Sequence, residues 1–168
     1  MILSTIGKLV GGLLAGSAII TPAVLLSAPP KFDLKTDNKF KNNCQLFDKD
    51  KTGQKQLIVC SFDDSGNSPI FYFYKEGNIP VQVWKLKKLE TNFKEVELEL
   101  GTEEHSRQSV KMDISIPSKW TELSEVNVGN CDFADNTSRV SEKWKISCEK
   151  TDKSLPKKEI ELTPLFSR

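Results

Sequence analysis

Behind residue 43 the dominant period of the chain is two. Val96-Glu97-Leu98-Glu99-Leu100 and Val110-Lys111-Met112-Asp113-Ile114-Ser115-Ile116 alternate apolar and polar positions without a fault, which sets one face of each strand on a core and the other in water. The stretch between them is centred near His105, so the hairpin it predicts pairs Leu100 with Val110, Leu98 with Met112 and Val96 with Ile114. Glu99 then faces Lys111, and Glu97 faces Asp113. Further strands are predicted over Gln56–Phe62, Pro69–Tyr74, Pro80–Leu86, Val140–Glu149 and Lys157–Leu162, with Asp64-Ser65-Gly66-Asn67 and Glu76-Gly77-Asn78 as turn formers between them. Ile70-Phe71-Tyr72-Phe73-Tyr74 is apolar or aromatic at every position, which predicts a central strand covered on both faces or, alternatively, an aromatic binding face. Trp84, Trp120 and Trp144 are assigned to the core; Trp144, Ile146 and Cys148 share one strand face. Pro117–Leu123 reads as one short helical turn that neither Ser115 nor Ile116 is well suited to cap. The pattern predicts a mostly β protein: an N-terminal hydrophobic helix, then an antiparallel β sandwich or open barrel of about seven to nine strands.

The front of the chain follows a different rule. Leu9–Ala28 is a run of 20 uncharged, mostly apolar residues, and as a helix it would span about 30 Å, the thickness of a bilayer's hydrocarbon layer. Residues 1–28 are therefore expected to be a signal-anchor or transmembrane helix, 29–42 a tether opened by Pro29 and Pro30, and 43–168 the β domain. A removed signal peptide is the alternative; against it, Leu26-Ser27-Ala28 puts a leucine where a cleavage site needs a small residue. Ser17 stands where a bacterial lipoprotein would carry its lipidated cysteine, and no cysteine precedes Cys44. Lys8 lies on one side of the segment and Lys31, Lys35, Lys39 and Lys41 on the other, a count that alone would keep the body in the cytoplasm. Long domains, however, are translocated largely regardless of charge, and the cysteines suit an oxidising side. The expectation is a single-pass membrane protein with its body outside the cell, or a secreted one if the segment is cleaved.

The four cysteines, Cys44, Cys60, Cys131 and Cys148, fall in two pairs separated by 16 and 17 residues. The midpoint of the first pair lies in Lys51-Thr52-Gly53, a turn former by composition, so Cys44 and Cys60 would face each other across a hairpin. For Cys131 and Cys148 the midpoint falls past the turn-like Asp135-Asn136-Thr137-Ser138, and the symmetry is not reproduced. The pairing expected is Cys44 with Cys60 and Cys131 with Cys148; sequence does not choose among connectivities, and four reduced thiols in a cytosolic domain are the alternative. Around the pairs the chain repeats loosely, Asn43-Cys44 and Val59-Cys60 against Asn130-Cys131 and Ser147-Cys148, as a duplicated hairpin or a coincidence.

Charge narrows the function classes. Lys8 is the only charged residue of the first thirty, which leaves the rest with 23 basic and 23 acidic groups. A neutral body has no broad positive field to gather phosphate backbones, so no nucleic-acid partner is expected. Asp48-Lys49-Asp50-Lys51-Thr52-Gly53 resembles the first half of a calcium loop, with Val59 in place of the closing glutamate, and is read as a solvated hairpin tip. No close Cys-x-x-Cys spacing supports zinc. His105, the single histidine, sits between strands without a nucleophile motif and is read as a loop residue. No catalytic residue, metal or cofactor is assigned. Asn136-Thr137-Ser138 is a glycosylation sequon, and Lys85-Leu86-Lys87-Lys88 and Lys157-Lys158 are read as solvated faces.

The start, Met-x-x-x-x-Ile-Gly-Lys-Leu-x-Gly-Gly, followed by a small lysine-rich body with scattered Trp and Cys, resembles the paralogous hypothetical proteins of haemotropic mycoplasmas. The resemblance covers the first thirty residues and the general character of the rest. It implies the surface of a wall-less bacterium and a role in antigen variation or host contact, and carries over no functional residue. The resulting expectation is a non-enzymatic, membrane-anchored ectodomain that touches the bilayer through residues 9–28 and binds a host or surface protein or serves as an antigen. The alternatives are a small enzyme whose site assembles from residues distant in sequence, and a cytosol-facing scaffold.

Overall fold

The alternating segments form the expected strands. In the computed structural model the described residues are 31–89, 94–101, 108–120, 123, 126, 128–134, 143–149, 157 and 159–166. The hydrophobic segment 9–28 lies outside them; among the described residues no helix is long and apolar enough to cross a membrane. The protein is mostly β, with an antiparallel sheet of seven strands and a second, small sheet of three.

The large sheet contains β1 (Cys44–Lys49), β2 (Lys55–Cys60), β3 (Ile70–Lys75), β4 (Val81–Leu89), β5 (Glu95–Leu100) and β6 (Gln108–Asp113) in chain order, with β10 (Thr163–Pro164) returning to lie beside β1. The small sheet is β7 (Cys131–Phe133), β8 (Lys145–Cys148) and β9 (Glu159–Glu161). The total of ten strands among the described residues exceeds the expected seven to nine because β7, β9 and β10 are only three, three and two residues long. Two short helices, α1 (Asn38–Asn43) and α2 (Pro117–Trp120), complete the elements used below.

Period-two burial builds the core. Val96, Leu98 and Leu100 of β5 are buried while Glu95, Glu97 and Glu99 are only partly covered. Phe71 and Phe73 of β3, Leu57 and Val59 of β2, and Met112 of β6 join them, and the small sheet adds Phe133, Ile146 and Ile160 to the same hydrophobic cluster. Trp120 and Trp144 lie in this cluster as expected, whereas Trp84 is only partly buried. Trp144 donates its backbone N–H to the buried Gln45 Oε1 at 2.8 Å, tying the small sheet to β1.

The β5–β6 register differs from the expected one by two residues. Val96 pairs with Met112, Leu98 with Val110 and Leu100 with Gln108. A shift of two preserves which residues face the core. It also sets Glu97 against Lys111 in place of Asp113, moving the like-charge contact to Glu95 and Asp113 at the end of the ladder. His105 and its neighbours 102–107 lie outside the described residues.

Residues 32–42, expected as tether, belong to the fold. Phe32 forms an isolated bridge with Gly77, donating its N–H to Gly77 O at 3.2 Å. Asp37 then caps α1 by accepting the Phe40 N–H at 3.1 Å. Leu34 and Phe40 are buried in a second hydrophobic cluster with Cys44, Ile58, Cys60 and Tyr74, on the side of β1–β3 that faces away from the small sheet. Two apolar anchors suffice to hold this segment, although its composition is mostly polar. Strand β3 thereby has apolar neighbours on both faces, with Phe71 and Phe73 buried in the main cluster and Tyr74 in the second, while Tyr72 on the second face remains partly exposed.

Candidate functional site

Both expected disulfides are present. Cys44 is bonded to Cys60 and Cys131 to Cys148, with Cα atoms 4.0 and 3.9 Å apart, and no cysteine is free. Each joins directly opposed residues of neighbouring antiparallel strands, where the closely spaced, non-hydrogen-bonded type of pair brings side chains together. The symmetry that the midpoint of Cys131 and Cys148 argued against is reproduced. Ser61 donates its N–H to Asn43 O at 2.8 Å, and Glu149 donates its N–H to Asn130 O at 2.9 Å. In both units the residue after the second cysteine thus bonds the asparagine before the first, and the loose sequence repeat has a common geometry.

Within Asp48–Gly53 the tip residues Lys51 and Thr52 are solvated as expected, but Asp48 and Asp50 are buried. A bulge gives β1 one extra residue, because Leu46 pairs with Ile58 but Asp48 with Leu57. Phe47 and Asp48, adjacent in sequence, are consequently both buried, at 0% and 2% exposure. The Asp48 carboxylate is fully engaged. Its Oδ2 accepts the Trp120 indole N–H at 2.7 Å and the backbone N–H groups of Ser115 and Ile116 at 3.1 and 3.2 Å, and its Oδ1 accepts the Lys49 N–H at 2.8 Å. The chain just ahead of α2 is thus pinned at Ser115 and Ile116 by a carboxylate from β1, although the bonds are made by N–H groups outside the helix and do not cap its first turn. Asp50 is turned inward too, accepting the Thr52 hydroxyl at 2.9 Å and the Lys55 N–H at 3.2 Å. These are the bonds of a hairpin turn, with Gly53 in the left-handed region at φ 74°; neither acid points into an open cation site.

Around Asp48 the outer edge of β1 is closed by side chains. Lys119 Nζ donates to Phe47 O at 2.9 Å, Ser115 Oγ donates to Lys49 O at 2.6 Å, and β10 pairs with Gln45 and Leu46. Burial lowers Lys119 below the ordinary lysine value, while the carboxylates of Asp48 and Glu161 oppose that shift. Every buried side-chain nitrogen or oxygen among the described residues has a partner, as expected of a well-packed polar corner.

The outer cluster is more open. Phe32, Leu46, Phe62, Tyr72, Leu165 and Phe166 pack against it while remaining partly exposed. Their rings meet edge to face: Phe40 lies 5.3 Å from Tyr72 and 6.2 Å from Phe62, and Phe32 lies 6.3 Å from Tyr74. Lys39 Nζ stands 4.7 Å from the Phe62 ring centroid. Burial raises the Tyr72 phenol above its ordinary value, and Asp64 adds to the shift. Of the lysine clusters, Lys87 pairs with Glu99 at 3.6 Å and Lys157 with Glu149 at 3.0 Å, while Leu86 between the first group is buried. The sequon at Asn136 lies outside the described residues.

Sequence reasoning missed the Asp48 acceptor and the aromatic face partly covered by α1. A signal existed for each: an apolar–acidic pair, Phe47-Asp48, interrupting a strand pattern, and Asp37 placed three residues before Phe40. No family model, curated protein or solved structure matches the chain.

Proposed function

We propose that the protein is a membrane-anchored, non-enzymatic surface protein whose β domain stands outside the cytoplasm, where it binds a host or surface partner or presents an antigenic face. One observation carries the reading: all four cysteines are paired in two disulfides. Such bridges persist in oxidising compartments and are rare where glutathione keeps thiols reduced. The apolar run 9–28 supports the anchor as a transmembrane helix, and the N-terminal resemblance to haemotropic mycoplasma proteins supports a surface setting. The contact between Asp48 at the end of β1 and Ser115 beyond β6 brings distant parts of the large sheet together, which favours an open barrel with the small sheet against one side.

The test is made on intact cells. All four cysteines are buried, so cells are quenched in acid, the protein denatured, and thiols counted with a mass-tagged maleimide before and after reduction. Four adducts appearing only after reduction are expected, together with labelling of the lysine-rich body by a membrane-impermeant amine reagent before lysis. Adducts without reduction, or amine labelling that begins only on lysis, refute the reading.

A further inference from the structure

The two hydrophobic clusters are closed to different degrees. Among the described residues the cluster between the sheets has one partly exposed apolar neighbour, Val110, whereas the outer one has six. Half-covered aromatic and aliphatic side chains gathered on one face call for a partner. Which partner follows from where the chain enters this face. Phe32 is fixed there by its bridge to Gly77 and by edge contacts to Phe40 and Tyr74, 6.1 and 6.3 Å away. Only Pro29, Pro30 and Lys31 separate it from Ala28, the end of the apolar run. Fully extended, that connection reaches about 14 Å, against an interfacial layer of about 5–8 Å per leaflet.

We propose that this face rests in the headgroup region of the bilayer entered by residues 9–28, with Phe62, Leu165 and Phe166 among the side chains that contact lipid. The inference builds on the anchored reading given above. Rings at the boundary between apolar and wet surroundings are the side chains that favour a membrane interface. The charges nearby define the lipid chemistry. Lys35, Lys39 and Lys41 are exposed on the segment that crosses the face, while Asp63 and Asp64 are exposed beside Phe62. Asp33 and Asp37 accept the backbone N–H groups of Lys35 and Phe40. Cations and acids offset one another, so apolar contact drives the docking and zwitterionic phosphatidylcholine suffices. Lys39, lying over Phe62, keeps its ammonium at the headgroups while its stem covers the ring.

The experiment uses the full chain reconstituted in phosphatidylcholine vesicles, with ordinary or brominated acyl chains, as parent, Phe62→Trp and Phe166→Trp. Vesicle flotation at alkaline pH reports the anchor independently of the face. Retained disulfides and an unchanged far-UV spectrum certify the fold of each variant. In floating protein, the added tryptophan's emission is expected to fall about twofold on going to brominated lipid, with a smaller change for Trp84, Trp120 and Trp144 of the parent. Flotation without extra quenching in either variant overturns this inference and leaves the anchor standing. If cross-linking then shows paired chains, a second copy covers the face instead. Failure to float removes the anchor, and this inference with it.

Discussion

Replacing Asp48 tests the account of how the sheet is held together. In Asp48→Ala three donors lose the oxygen they share. The Trp120 indole N–H sits on a residue 1% exposed, where water does not readily replace the acceptor, and leaving it unsatisfied costs about 1–3 kcal/mol. Ser115 and Ile116 are exposed, so their N–H groups find water and each bond loses only its net worth, about 0.5–1.5 kcal/mol. The total expected is about 2–6 kcal/mol, a large share of the 5–15 kcal/mol that stabilises a typical domain. Asp48→Asn keeps an acceptor of the same shape without the charge and is expected to cost about 1–2 kcal/mol. Urea unfolding of the purified protein, followed by far-UV circular dichroism, measures both. In a Trp120→Phe background, which lacks the indole donor, Asp48→Ala should cost about 1–2 kcal/mol less than in the parent. Equal costs in the two backgrounds, or a loss below about 1 kcal/mol for Asp48→Ala, would show that the carboxylate does not organise this corner.

Three other outcomes are expected. Replacing Cys131 and Cys148 together with serine should cost about 3 kcal/mol in the chain-entropy account of a loop of this length, read as a lower urea midpoint; an unchanged midpoint would refute a stabilising bridge. Gly53→Ala places a side chain at φ +74°, with nothing within 4 Å of the new Cβ, so a purely conformational loss of about 1 kcal/mol is predicted, and a neutral or stabilising result in thermal unfolding would contradict it. Tyr72 has a folded pKa above the ordinary 10.0, so above pH 10 the unfolded chain has released a proton that the folded one still holds. Stability due to the neutral phenol is full below that pH and is lost as pH rises toward and through the folded pKa. Tyr72→Phe should flatten this alkaline decline in urea midpoints between pH 9 and 11, and parallel declines in the two proteins would refute the assignment.

Where one physical rule acted alone, the sequence was readable. In β5 and β6, alternation under a single buried face fixed both strands and their inward residues. The pairing slipped by two because the side-chain period cannot distinguish register steps of two, and the polar stretch between the strands carries no strong turn signal. In β1, a bulge placed Phe47 and Asp48 on the inside together, a departure no strict period anticipates. Helix α1 was hidden because only Leu34 and Phe40 bury in a segment otherwise polar, and its cap matters more than its propensity. Strands β7 and β10 are too short to show any period, and their partners, β8 and β1, are remote or separated by residues of different character. The Cys44–Cys60 bridge was legible from spacing and turn position, whereas Cys131–Cys148 had only its spacing in its favour, and the similarity of the two units became apparent only through the main-chain bonds of Asn43 and Asn130. Asp48 as an acceptor depends on Ser115, Ile116 and Trp120, contacts that only the folded chain creates.

Strand β10 carries a consequence for biosynthesis. Thr163 and Pro164 lie beside Leu46 and Gln45, so the first strand to emerge during translation is flanked by one of the last. Until that late stretch arrives, nascent β1 keeps a naked rim of amide and carbonyl groups at those positions, open to strands from neighbouring polypeptides. Termination upstream of Thr163 would make that exposure permanent, and such products should clump even with both cystines intact.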